Sequence, residues 1–214
     1  MRAAFPMPRS LWPHEMVLTV DDDRALEELV WVRYALDLDP HDLDPRGSDV
    51  PPPIWNPPPL ARRGVRPGDD RAELEQRWVR AWADALAARR RLEEALAALD
   101  APRFSVGRQA AEREVRRRHR IRSWPRDVDQ FEAWRGPFET WRRSLHAFVH
   151  ERDPEREILR TTTAAWRRGL ERIIELPTTG DYTRMLSPAA LLVTRSTRAD
   201  PLAYADALES FGRP

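Results

Sequence analysis

Residues 69–99, DDRAELEQRWVRAWADALAARRRLEEALAAL, decide the fold class. Leu74, Trp78, Trp82, Ala85, Leu92, Leu96 and Leu99 recur at helical spacing, with Arg and Glu between them. The spacing predicts one long amphipathic helix. Asp70 followed by Glu73 fits a capping box with Asp in place of Ser or Thr, and Asp100-Ala101-Pro102 ends the segment. At about 1.5 Å per residue the helix spans roughly 45 Å. It needs other helices alongside to bury its apolar stripe.

Toward the N-terminus, residues 37–68 read as one long irregular connection. Asp37 to Arg46 (DLDPHDLDPR) is a five-residue tandem repeat, and Pro51 to Leu60 (PPPIWNPPPL) favours polyproline II geometry. Nine of the twenty prolines lie between 40 and 67. Connections of this length carry function or are disordered, and Trp55 in the middle marks a candidate partner anchor. Before it, Arg24 to Leu36 predicts a helix buried on most of its circumference, capped by Asp22 or Asp23. Glu15 to Val20 (EMVLTV) predicts a short strand.

Toward the C-terminus, Ser105 to Arg122 is helix-permissive and weakly amphipathic. Residues 126–151 resume strong periodicity through Val128, Phe131, Trp134, Phe138, Trp141, Leu145 and Phe148, with a kink or split expected at Gly136-Pro137. Asp153-Pro154 opens a helix with core face Ile158, Thr162, Trp166, Leu170 and Ile173, ending at Pro177. Ala190 to Thr194 predicts a second strand, and Asp200-Pro201 a last helix stopped by Gly212. The two strands are expected to pair and bring the chain ends together.

The expected fold is therefore mainly α: an Arg- and Trp-rich helical bundle with a small two-stranded sheet formed by segments near the two ends. It is one domain over 1–214, in which 37–68 links an N-terminal strand–helix unit (1–36) to the helical body (69–214).

Charged residues make up 33% of the chain, above the usual quarter or so. Nine Trp, six Phe and three Tyr still supply apolar area for a core. Without cysteine there is no disulfide and no thiolate metal site. The N-terminus lacks the apolar run of a signal peptide, and no stretch is apolar enough to span a membrane. These features point to the cytoplasm and to no membrane partner.

All 36 cationic side chains are Arg, which excludes Schiff-base lysine chemistry and lysine-dependent phosphate loops. Their placement is uneven. Residues 1–60 carry 5 Arg against 11 acids, and residues 61–126 carry 18 Arg against 10. Such asymmetry means either that the two regions face each other or that a basic face is exposed.

Within 103–126 stand nine Arg and two Glu. Arg113, Arg116, Arg117, Arg118, Arg120 and Arg122 are candidate contacts for phosphates or an acidic partner, with Trp124 available to stack. No helix-turn-helix, zinc-finger or RNA-recognition signature accompanies them. The Asp37, Asp39, Asp42, Asp44 repeat fails the EF-hand pattern, since position twelve is Ser48. His146 and His150 share a helix face, but Ala147 stands where a metalloprotease needs Glu. Leu176 to Gly180 (LPTTG) resembles the sortase cell-wall sorting signal over five residues only, without the apolar span and basic tail that signal requires.

No convergent catalytic set, metal site or cofactor motif emerges. Long amphipathic helices and abundant Trp and Arg, residues favoured at interface hot spots, point to a non-enzymatic interaction protein. An adaptor or assembly subunit that binds another protein or itself fits best. Nucleic-acid binding through 103–126 is the alternative. An enzyme whose site is assembled from several helices is a third reading.

Overall fold

Four aspartates start four of the helices. Asp23 accepts from the backbone N–H groups of Ala25 and Leu26, and Asp70 from those of Ala72 and Glu73. Asp153 accepts from Arg156, and Asp200 from Leu202 and Ala203. Each satisfies donors that a helix start leaves without intrahelical partners. The computed structural model describes residues 12–13, 15–40, 50–57, 69–99, 106–119, 124, 131–147 and 153–212.

In chain order the elements are β1 (Thr19–Asp22), α1 (Arg24–Leu36), α2 (Arg71–Ala97), α3 (Val106–Arg118) and α4 (Phe131–Ala147). They continue as α5 (Pro154–Glu157), α6 (Leu159–Arg167), β2 (Arg172–Leu176), β3 (Thr183–Ser187), β4 (Ala190–Thr194), α7 (Arg195–Ala199) and α8 (Pro201–Ser210).

The four strands form one mixed sheet in the order β1-β2-β4-β3. β1, β2 and β4 run parallel, and β3 runs antiparallel to β4. This overturns the expectation of a helical bundle with a two-stranded sheet: helices predominate, but they flank a four-stranded mixed sheet. β4 matches the second strand read from sequence and β1 overlaps the first only at Thr19 and Val20, yet β2 lies between them. They do not pair.

β2 falls in a segment whose apolar spacing fits a helix as far as Ile173. The helix stops earlier because Gly169 adopts φ +109, a left-handed conformation that L side chains rarely take. Beyond it, Ile173 and Ile174 point to opposite faces of the sheet.

Those opposite faces build two cores. Ile174, Leu176, Ala190 and Leu192 pack with α1, α2 and α4, around Trp31, Trp78, Trp82, Trp134 and Trp141. Ile173, Leu191 and Val193 pack with Ala165 of α6 and with Tyr204, Ala207 and Leu208 of α8. β4 is buried along its whole length, the signature of a strand covered on both faces. α4 is one helix with Pro137 inside it, not split at Gly136-Pro137. Its stripe Trp134, Phe138, Trp141 and Leu145 is buried on both sides of the proline, and Phe138 and Trp141 pack against Trp31.

Candidate functional site

Among the described residues, the basic stretch divides between arginines exposed on α3 and side chains buried in the fold. Trp124 is 1% exposed and belongs to the first core, with the Arg77 guanidinium 5.5 Å from its ring. It presents no face on which a base could stack. Arg113, Arg116, Arg117 and Arg118 are exposed on α3. Arg116 lies 3.7 Å from Asp21. Arg117 and Arg118 both donate to Glu114, and their hydrogen bonds draw that carboxyl down to about 2. Arg120 and Arg122 lie outside the described residues. Arg108, in the same stretch, is buried and donates to the Leu96 and Leu99 carbonyls at the end of α2.

Trp55 is laid on its own fold. Its ring sits 4.5 Å under the Arg195 guanidinium. Its N–H donates to the Pro177 carbonyl, and its carbonyl accepts from the Trp141 indole. Nearby, buried Arg33 donates to the carbonyls of Leu38 and Pro51, holding together two points flanking the proline-rich connection.

The other sequence candidates separate. Asp37 ends α1 with φ 57, and its carbonyl accepts from Arg71. Asp42, Asp44 and His150 lie outside the described residues, and His146 falls in α4. Pro177 to Gly180 forms the connection from β2 to β3, where Thr178 bridges Ile54. Among the described residues, no three His, Asp or Glu are placed to hold a metal ion.

The acidic and basic regions meet inside the fold. Arg89 lies 2.8 Å from Asp23 and 2.8 Å from Glu93, all three buried. Arg172 of β2 joins this set through Glu93 at 2.7 Å and Asp21 at 3.3 Å. Arg142 of α4 donates to Glu27 in the first turn of α1 and to Asp22 at the end of β1. Burial pushes the Glu27 carboxyl up to about 7, against the Arg142 hydrogen bond that draws it down. A second set joins Glu155, Arg198 and Glu175, with the Tyr204 hydroxyl donating to Glu155. Burial works to raise Glu155; Arg198 and Tyr204 outweigh it and leave that carboxyl low. These charges tie elements together and are spent on one another.

A groove of about 790 Å³ lies between α2 and β3. Val79, Ala83, Leu86 and Ala87 line it from α2, and Met185 and Leu186 from β3. Its floor is rigid. Trp78 and Trp82, one helical turn apart, stack with centroids 5.6 Å apart and planes 6° apart. The Trp78 indole donates to the Leu29 carbonyl at 2.7 Å. Arg90, Arg91 and Arg184 are the charged residues of the lining, which holds no acid. Met185 is 52% exposed, unusual for a large apolar side chain on a strand flanked by helices. β3 is the last strand of the sheet, and no described strand pairs with its outer edge.

Half of this site is visible in the sequence as the apolar stripe of α2. The other half is β3, whose TRMLS lacks the alternation that marks a strand. No candidate residue named from sequence lines the groove. The chain matches no family model, no curated protein and no solved structure.

Proposed function

We propose that this chain is a non-enzymatic interaction protein, an adaptor or assembly subunit, and that the α2–β3 groove receives another protein. One observation carries the proposal: an apolar groove rimmed by arginines lies beside a sheet edge with which no described strand pairs. Exposed strand edges invite pairing, and natural folds ordinarily cover or charge them. An apolar floor with a cationic rim suits a protein surface, in which apolar contacts supply affinity and charges steer. A cysteine-free chain suits the cytoplasm as the place of that encounter. No helix among the described residues is long and apolar enough to cross a membrane.

Nucleic-acid binding is the second reading, favoured by one observation: α3 exposes Arg113, Arg117 and Arg118. Against it stand the burial of Trp124 and the engagement of Arg117 and Arg118 with Glu114.

The test is a photo-crosslinking amino acid placed at Ala83 in the groove, and separately at Leu202 and Arg117, in the native host. Leu202 is 79% exposed and lies on α8, away from the groove. A discrete protein adduct from position 83, absent from 202 and 117, is expected. Adducts from 117 to nucleic acid, with none from 83, would sink the proposal.

A further inference from the structure

Resting on the groove as the binding surface, we infer that its occupant is an extended, acidic segment of a partner protein that adds a fifth strand to the outer edge of β3. Three observations converge on this occupant.

The first is length. The groove follows α2 from Trp78 to Arg91, about 20 Å at roughly 1.5 Å per residue. β3 offers an edge of about 17 Å at roughly 3.4 Å per residue. Both walls suit a strand of about five or six residues, and β-addition is a recurring mode of peptide recognition.

The second is facing. Arg184 pairs with Leu192, which belongs to the core under α1, α2 and α4. Met185 pairs with Leu191, which belongs to the opposite core. A strand added beside β3 alternates in the same way. One set of its side chains enters the groove against Val79, Ala83 and Leu86, and the other lies beside exposed Met185. Both sets meet apolar surface.

The third is charge. Among the described residues, the groove is lined by Arg90, Arg91 and Arg184 and by no Asp or Glu. Carboxylates on the incoming strand complement them. A second copy of this chain pairing through β3 does not, because its TRMLS strand carries no carboxylate to meet them. A nucleic acid fits the arginines but not the floor, because Trp78 and Trp82 are 0% and 2% exposed and offer no stacking face.

The test uses the full chain and a displayed library of random ten-residue peptides, counter-selected on the exposed-site variant Arg90→Glu/Arg91→Glu. Circular dichroism verifies that the variant is folded. Enriched peptides should alternate apolar residues with Asp or Glu and lack a central Pro. On binding such a peptide, the amides of Thr183–Ser187 should gain protection from hydrogen exchange. Affinity should fall at least about tenfold with Arg90→Glu/Arg91→Glu or with Pro at the peptide centre, and hold with Arg117→Glu/Arg118→Glu. Several outcomes overturn the inference: enrichment of basic or proline-rich peptides, no enrichment over the counter-selection, or protection that leaves β3 unchanged. So would a dimer in sizing that dissociates with Met185→Glu, or an oligonucleotide that binds with loss on Arg90→Glu/Arg91→Glu. A partner crosslinked from position 83 without β3 protection would leave the groove as the binding surface and remove only the added strand.

Discussion

Arg89 and Asp23 stand 2.8 Å apart, both buried, and join the long helix α2 to the start of α1. Through this contact the basic middle of the chain neutralises part of its acidic beginning. The consequence for function is subtractive. Arg89 and Arg108 turn inward, to Asp23 and Glu93 and to the end of α2, and so take no part in an exposed anion-binding face.

Removing Arg89 should therefore be costly. Arg89→Met leaves Asp23 without its buried partner and Glu93 with Arg172 alone. Breaking a buried pair from one side costs about 3–5 kcal/mol. Urea unfolding should show that loss at an unchanged slope. By contrast, Arg113→Glu should shift stability by no more than about 0.5 kcal/mol, as is usual for exposed positions.

Trp124 separates architecture from nucleic-acid contact. As a core residue, Trp124→Ala should destabilise by about 3–5 kcal/mol. A variant with unchanged stability and weakened retention on a nucleic-acid column at low salt would instead make Trp124 a contact residue.

Glu27 makes stability depend on pH. Burial raises its carboxyl to about 7 from an ordinary 4.5. The folded chain holds this proton more tightly than the unfolded chain. The contribution of Glu27 is thus complete below pH 4.5 and is lost as the pH rises to about 7. The full loss is about 3 kcal/mol at roughly 1.4 kcal/mol per unit. Glu155, held low by Arg198 and Tyr204, acts in the opposite sense and loses its contribution as the pH falls. Comparing wild type with Glu27→Gln isolates the first group. Between pH 5 and pH 8 the variant should gain stability relative to wild type; a relative gain by wild type would contradict the assignment.

Individual elements, though not the fold class, were legible where local chemistry and tertiary structure agree. Asp23, Asp70, Asp153 and Asp200 marked helix starts that the structure keeps, and Ala190–Thr194 is the strand that its β-formers predict. The misses share a cause. Ile173 fits both a helical period and a strand, and only the backbone at Gly169 decides between them. Arg89 and Glu93 lie on the buried stripe of α2, which an apolar pattern cannot register because the burial of each depends on partners far along the chain. The groove was hidden for the same reason. Trp78 and Trp82 read as core, correctly, but the free space beside them exists only once β3 is in place.

The proposed binding surface for a partner is the α2–β3 groove. Ala83 is exposed and lines it, so Ala83→Arg fills the groove without touching the core. The decisive measurement is the affinity of the protein crosslinked from position 83 for purified wild type, for Ala83→Arg and for Arg117→Glu/Arg118→Glu. At least about a tenfold loss is expected for Ala83→Arg, with wild-type affinity for the α3 variant. Full affinity in Ala83→Arg, with the loss falling on the α3 variant, would contradict it.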